Sequence, residues 1–141
     1  MEAVCSFFLA MKIPSVTNQM HRVAPRGKSQ KPIFYDSPEL ADARQKFVAH
    51  LSGQKPDEPM KGPVALRTVW CYPAEGKHYD GEYKTTKPDT DNLVKLFKDC
   101  MTKVGFWKDD AQVAYEVIEK RYCDHPGIYV EAWEIVKEND Q

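Results

Sequence analysis

The sequence lacks a large excess of charge of either sign, and this absence limits the kinds of protein it can be. Its 20 lysines and arginines nearly balance 21 aspartates and glutamates, which argues against a histone-like protein that grips nucleic acid by bulk charge. A local basic surface stays compatible with that balance. Hydrophobic residues make up 42% of the 141 positions, too large a share for a disordered chain. We therefore expect one globular domain over residues 1–141.

Long apolar runs and paired cysteines are also missing. The apolar run at residues 4–11 is far shorter than the ~20 residues that cross a bilayer, and Glu2 stands where a secretory signal carries lysine or arginine. The four cysteines form no Cys-x-x-Cys pair, which disfavours a zinc ribbon or a thioredoxin motif. Cys123 and His125 flank a predicted turn without a second ligand pair, so we interpret the cysteines as reduced, buried thiols. We expect a cytoplasmic protein that does not associate with a membrane.

Apolar residues recur with two different periods along the chain. Alternation predicts four strands, and two stretches at helical spacing predict two helices. Ser37-Pro38 starts the first helix, with serine at the N-cap and proline at the first helical position, and Gly53 ends it. Gly105 marks the end of the second helix. The predicted strands are 4–13, 64–72, 113–122 and 128–135, the second helix is 91–104, and 14–35, 54–62 and 74–88 are predicted loops.

The order of these elements predicts the fold class. Two successive strand-helix-strand units favour parallel pairing with right-handed crossovers. We expect the third and fourth strands to pair as an antiparallel terminal hairpin. The predicted class is α+β, a mixed sheet with two helices packed on it. The long polar loop 74–88 is a candidate functional segment, because long loops in compact domains often have a function.

Acidic residues gather around the second helix. Asp89 and Asp91 straddle its start, and Lys95 follows Asp91 by one helical turn on the same face. Asp109 and Asp110 come directly before the third strand. Carboxylates placed close together repel one another unless a cation joins them, and oxygen ligands suit Mg²⁺. The pattern indicates metal-assisted phosphoryl transfer, in which the metal polarises a phosphate and activates a water molecule.

The same residues also fit ordinary structural roles. Asp-x-Asp before a helix is common as an N-cap, and Asp-Asp before a strand is common turn chemistry. Lys95 is spaced for a surface ion pair with Asp91 or Asp99. Topology alone does not bring Asp110 to the start of the helix, since the helix returns the chain to the other end of the sheet.

The order and spacing of this central segment are specific. It reads Lys87-Pro88-Asp89-Thr90-Asp91-Asn92-Leu93-Val94-Lys95, then Asp99, Gly105 and Asp109-Asp110-Ala111-Gln112-Val113. At these positions and spacings the sequence resembles the RusA family of Holliday junction resolvases. A less specific likeness covers Ile13-Pro14-Ser15, Asn18 and Arg22 near the N-terminus.

The resemblance implies a RusA-like fold and a homodimeric, Mg²⁺-dependent endodeoxyribonuclease, with Mn²⁺ as a substitute metal. Such an enzyme, typical of bacteria and their phages, resolves four-way DNA junctions by symmetric paired nicks in recombination and repair. By position, the resemblance implies that Asp89, Asp91 and Asp110 are metal-binding catalytic carboxylates and that Lys95 is a catalytic lysine. It implies supporting roles for Asn92, Asp99 and Asp109.

Two basic segments are candidates for DNA contact. Lysines and arginines outnumber the single acidic residue in 1–31, and in 74–88 lysines alternate with Tyr79 and Tyr83. Basic loops with aromatic residues suit phosphate contact and stacking on exposed bases. The residues that we expect to contact DNA are Arg22, Arg26, Lys28, Lys84 and Lys87.

Other functions fit the same residues. One alternative is a DNA-binding or regulatory protein that has this fold without turnover, and the intact set of carboxylates and Lys95 argues against it. Another is a metal-dependent nuclease that prefers flaps or forks. Cleavage of a junction, a fork, a flap and a duplex distinguishes these functions.

Overall fold

The computed structural model of the protein describes residues 5–15, 21–24 and 33–136, with the backbone alone for 21–24 and 33–36. Two helices and a four-stranded mixed sheet form an α+β fold, which confirms the predicted class. The elements are β1 (Cys5–Leu9), β2 (His21–Ala24), β3 (Ile33–Asp36), α1 (Pro38–Ser52), β4 (Val64–Pro73), α2 (Thr90–Val104), a 3₁₀ turn (Asp110–Gln112), β5 (Val113–Cys123) and β6 (Gly127–Glu134).

Both helices begin and end where the sequence predicts. The backbone N–H of Leu40 donates to the Ser37 side-chain oxygen at 3.1 Å, so Ser37 caps α1. Gly53 follows the last residue of α1. Gly105 ends α2 with a φ of 110°, a left-handed conformation that favours glycine.

The sheet has the strand order β1-β6-β4-β5. β4 and β5 are parallel neighbours, as the second strand-helix-strand unit predicts. The parallel pairing predicted for the first unit is wrong, because β6 lies between β1 and β4 and is antiparallel to both. The predicted hairpin between the last two strands is wrong, because β4 lies between β5 and β6. Burial explains the exchange: β6 contributes fully buried Ile128, Val130 and Ala132 to the core, whereas most of β5 stays partly exposed. The more apolar strand takes the interior position.

Two predicted loops contain ordered backbone. The segment 14–35 was predicted as a loop, but it contains β2 and the start of β3, which pair antiparallel. Strands of four residues are too short for alternation to stand out in the sequence. In the segment 74–88, the backbone N–H of Gly81 donates to the Tyr122 carbonyl, and that of Lys84 donates to the Lys120 carbonyl. The loop therefore runs along the outer edge of β5 and covers it.

The core lies between the sheet and the two helices. Trp70 on β4 is fully buried and packs edge to face against Phe47 of α1 and Phe97 of α2. Because side chains alternate along a strand, Arg67 and its neighbours point to the opposite face, which neither helix covers. There Arg67 forms ion pairs of 3.0 Å with both Glu119 and Glu131. No helix in the described part of the chain is long and apolar enough to span a membrane.

Candidate active site

The start of α2 leaves two carboxylates exposed. Asp89 occupies the N-cap position in an extended conformation, yet its side chain accepts no capping hydrogen bond. This differs from Ser37, which does cap its helix. Asp91 is exposed in the first turn of α2. The structural role that the sequence allowed for Asp89 is therefore not used, and its oxygens are available to another ligand.

Lys120 of β5 holds the backbone that leads into Asp89. Its ammonium group donates to the carbonyl oxygens of Thr86 and Pro88, each at 2.7 Å. Lys120 is the register partner of Trp70, so it lies on the face of the sheet that carries the helices. Sequence analysis missed this residue. The available signal was that Lys120 alternates with the apolar residues Ile118 and Tyr122, which places it on the same face of the strand as they are.

The two consecutive aspartates before β5 have different roles. The Asp109 side chain accepts from the backbone N–H of Ala111 at 2.9 Å, and the Gln112 side chain accepts from the backbone N–H of Asp109 at 3.1 Å. This reciprocal capping box fixes the 3₁₀ turn. Gln112 also donates to the carbonyl oxygens of Met60 and Gly62. Asp109 and Gln112 thus fix the turn, and Gln112 also anchors it to the loop before β4. The side chain of the half-buried Asp110 takes no part in capping.

Asp110 lies on the same flank of α2 as Asp91. A cavity of about 370 Å³, here called the Asp91–Asp110 cavity, joins them. The 3₁₀ turn therefore lies beside the flank of α2 that Asp91 and Lys95 share. The residues that line the cavity are Asp91, Val94, Lys95, Lys98, Asp110, Glu116 and Ile118.

An ion pair closes one side of the Asp91–Asp110 cavity. Lys98 donates to Oε1 of Glu116 at 3.0 Å, and both side chains are 22% exposed. The other oxygen of Glu116 is buried and has no hydrogen-bond partner in the described part of the chain. Sequence analysis did not single out either residue, because one lies in a helix and the other in an alternating strand.

Lys95 faces this cavity without a neighbouring counter-ion on its own helix. The sequence allowed an ion pair with Asp91 or Asp99, but neither pair forms among the side chains that the structure describes. Asp99 is half-buried on α2 and lines none of the cavities described here. Lys95 therefore has its positive charge available to a ligand of the cavity.

Asp89 lines a second, larger cavity. This space of about 700 Å³, here called the Tyr72 cavity, is also lined by Tyr72, Lys84, Lys87 and Asn92. Lys84 lies 5.0 Å from the ring centroid of Tyr72 and donates to the Thr86 hydroxyl. The structure thus places Lys84, Lys87 and Asn92 beside the first carboxylate of the predicted site.

The donor set suits a hard cation, but a complete metal cluster is not preformed. Among the described residues, no three His, Cys, Asp or Glu side chains lie close enough together to hold a metal ion. Asp91 and Asp110 share one cavity, and Asp89 lines the next one, two residues away along the chain. All three are carboxylates, the ligand type that Mg²⁺ prefers, and the buried Glu116 oxygen adds an unused acceptor nearby.

The predicted N-terminal DNA contacts belong to residues whose side chains lie outside the described part of the chain. Arg22 belongs to β2, of which only the backbone is described, and Arg26 and Lys28 lie outside the described residues. These three contacts stay predictions. Lys84 and Lys87 are the two predicted contacts whose surroundings the structure describes.

Comparison with known proteins gives a consistent result. A protein-family model described as Endodeoxyribonuclease RusA matches residues 13–132. The chain is 30% identical over 126 residues to the crossover junction endodeoxyribonuclease rusA of Lactococcus phage r1t, covering 88% of this chain and 92% of the relative. It is 28% identical over 119 residues to the uncharacterized protein YqaN of Bacillus subtilis strain 168, covering 75% of this chain and 83% of the relative.

Proposed function

The chain belongs to the RusA family of endodeoxyribonucleases, and from this premise we propose which of its residues cut DNA and how. It is an endodeoxyribonuclease that resolves Holliday junctions, which its similarity to the phage crossover junction enzyme over most of both chains supports. The observation that carries the proposed site is the Asp91–Asp110 cavity, which is lined by two carboxylates from distant parts of the sequence and by Lys95.

We propose that Asp89, Asp91 and Asp110 hold Mg²⁺, with Mn²⁺ as a substitute. The carboxylate donor set supports a hard divalent cation. A divalent cation held by these three carboxylates would supply polarisation of the scissile phosphate and activation of a water molecule as the nucleophile. Asp89, two residues before Asp91, is the third proposed ligand, and its exposed carboxylate, which accepts no capping hydrogen bond, supports that role.

The protein's own residues supply position and charge. Lys95 stabilises the negative charge that develops on the phosphate as the phosphodiester bond breaks. Its lack of an ion pair with Asp91 or Asp99 among the described side chains supports this role. Asp109 acts through the turn that it caps, and it places Asp110 without contacting the substrate itself.

We propose that two copies of the chain act together. A four-way junction is resolved by two symmetric nicks, and each chain carries one candidate site, so a two-fold dimer matches the substrate. Phe8 and Tyr115 are 41% and 57% exposed, and both lie on the sheet face that the helices leave uncovered. Association of two copies would bury such apolar surface.

We also propose a cytoplasmic location, in bacteria or in cells infected by a phage.

Cleavage of a fixed four-way junction tests the proposed site. With Mg²⁺ the wild-type protein should nick two opposing strands, and without divalent metal it should not. Asp89→Asn, Asp91→Asn and Asp110→Asn should each lower the rate by at least about 100-fold, because each removes a charged ligand. Asp57→Asn, in the loop between α1 and β4, is the matched control and should cut normally.

Four results would each contradict a part of the proposal. Retained cleavage in Asp91→Asn would remove that residue from the site, and metal-independent cleavage would exclude the magnesium chemistry. Faster cutting of a fork or a flap than of the junction would change the substrate class. Light scattering should give twice the 16.2 kDa chain mass, and a monomer that makes both nicks would rule out the dimer.

A further inference from the structure

We propose that the Tyr72 cavity binds one nucleotide of the DNA substrate, displaced from its stack and lying next to the phosphate that is cut. The inference rests on the proposed function, since it assigns a role to the space beside the metal-binding carboxylates. It adds a nucleotide-recognition site to a cavity that the catalytic proposal does not use beyond Asp89.

The lining of the cavity has three kinds of surface that a nucleotide needs. Apolar and aromatic groups suit the faces of a base, neutral polar groups suit its hydrogen-bonding edges, and cations suit its phosphate. The volume of about 700 Å³ lies within the range of roughly 300–1,000 Å³ found for small-molecule sites. The apolar and aromatic surface comes mainly from Tyr72 and Pro88. The neutral polar groups are Ser15 and Asn92, and the cations are Lys84 and Lys87.

The charge of the lining favours a ligand with one anionic group and one neutral group. The lining residues include two lysines, Lys84 and Lys87, and one carboxylate, Asp89. The ammonium group of Lys84 lies 5.0 Å from the ring centroids of both Tyr72 and Tyr122, so aromatic rings hold it in place. A cation beside a flat apolar surface matches a nucleotide, in which a phosphate is joined to a planar base.

The Tyr72 hydroxyl is a second, independent observation. Its oxygen is buried and has no hydrogen-bond partner among the described residues. Burial raises the pKa of Tyr72 well above its usual value of 10.0, so the hydroxyl keeps its proton. Most buried polar groups have partners, so the unpaired Tyr72 hydroxyl is a donor that a ligand of the cavity would reach once the side chains that cover its oxygen move aside.

The position of the cavity identifies which nucleotide it takes. Asp89 lines this cavity, and Asp91, two residues later, lines the cavity that contains Asp110 and Lys95. A DNA strand that crosses the first turn of α2 therefore places one phosphate at the carboxylates and the adjoining nucleotide in the Tyr72 cavity. Nucleotides at the centre of a junction are the cheapest to unstack, because their stacking is already interrupted.

Filling the cavity tests the inference. Ser15 is exposed at the rim of the cavity, so Ser15→Trp fills it, and Ser15→Leu fills it less with lower risk to folding. Ala49→Trp, on the exposed side of α1, is the matched control. Junctions that carry one abasic site, moved nucleotide by nucleotide through the branch point, are titrated without divalent metal, so that affinity is measured without cleavage.

The expected result is coupling between the abasic position and the cavity. At one position beside the cleavage site, loss of the base should weaken wild-type binding by roughly 5- to 100-fold. The same base removal should cost Ser15→Trp little, because its cavity no longer admits the base, and Ser15→Leu should lie between. Ala49→Trp should behave as the wild type.

Equal abasic penalties in wild type and Ser15→Trp at every position would overturn the inference, while normal junction cleavage in the same proteins would leave the proposed function intact. Failure of the wild type to bind or cut the junction would contradict both. Tight binding of a free deoxynucleoside monophosphate, blocked by Ser15→Trp and without abasic coupling, would assign the cavity to a free nucleotide and also overturn the inference.

Discussion

The ammonium group of Lys120 lies 2.7 Å from the carbonyl oxygen of Pro88, the residue directly before Asp89. A second hydrogen bond of the same length reaches the carbonyl oxygen of Thr86. One side chain from β5 thus fixes two points of the loop that presents the first candidate metal ligand. Errors of about 1 Å in the position of a reacting group can cost about 100-fold in rate, so this contact has a catalytic consequence.

Lys120→Met should lower kcat for junction cleavage by about 10- to 100-fold, because Asp89 loses its fixed position. KM for the junction should stay within about twofold, since Lys120 binds protein carbonyls rather than DNA. Steady-state cleavage kinetics measure both constants, and Lys103→Met, at the exposed end of α2, is the control. An unchanged kcat, or a change confined to KM, would show that Lys120 does not position the site.

Substitutions at Asp109 should affect stability, whereas substitution of Asp110 should affect cleavage activity. Asp109→Ala removes the cap of the 3₁₀ turn and should lower the free energy of unfolding by about 1 kcal/mol, whereas Asp109→Asn keeps a capping oxygen and should lose little. Asp110→Asn should leave the free energy of unfolding within about 0.5 kcal/mol of wild type and abolish cleavage. Urea unfolding and junction cleavage test the pair. Full cleavage by Asp110→Asn would reverse the assignment.

The Lys98–Glu116 pair should behave as one unit. Lys98→Met leaves a mostly buried carboxylate without its cation and should cost about 1 to 3 kcal/mol of unfolding free energy. Adding Glu116→Gln removes that charge, so the double variant should be more stable than the sum of the single losses, with a coupling of about 0.5 to 3 kcal/mol. Denaturant titration of the four proteins measures it. Additive losses would mean that the contact contributes nothing to stability.

Glu119 on the open face of the sheet should make stability depend on pH. Burial alone would raise the pKa of Glu119, but hydrogen bonds and positive charge from Arg121 and Arg67 outweigh it and lower the pKa below the usual 4.5. A lowered pKa in the folded state stabilises the protein above the unfolded value, and the gain is lost as pH falls through the folded value. Glu119→Gln should therefore be less stable than wild type at pH 7, by about 1 kcal/mol.

The difference between Glu119→Gln and wild type should shrink on titration from pH 5 to pH 2. Glu58→Gln, in the exposed loop before β4, is the control and should follow the wild type throughout. A gap between Glu119→Gln and wild type that is constant with pH would mean that the loss comes from packing rather than from the carboxylate charge.

The helix ends and the parallel pairing of β4 with β5 were predictable from the sequence, whereas the place of β6 in the sheet was not. Ser37, Gly53 and Gly105 act within one helical turn, so both helix ends were predicted. The partner of β6 depends on which strand edge is left open after β4 and β5 pair, and no local pattern carries that information. The predicted hairpin of the last two strands failed for this reason.

The candidate site divides in the same way. The spacing of Asp89, Asp91 and Lys95 predicted a metal-assisted chemistry, but it did not separate the capping role of Asp109 from the position of Asp110, whose side chain caps nothing. Lys120 and Glu116 were missed because each belongs to an alternating strand, where a polar residue ordinarily faces solvent. Their roles became visible only when the register placed them beside α2.

The pairing of β1 with β6 also constrains how the chain is made. Among the described strands, β1 is hydrogen-bonded to β6 alone, and Cys5 lies opposite Ala132. On the ribosome β1 must therefore wait until β6 has been synthesised before it can pair. Such long-range closure slows folding. Chains stalled before β6 should thus leave β1 unpaired and be substrates for proteases.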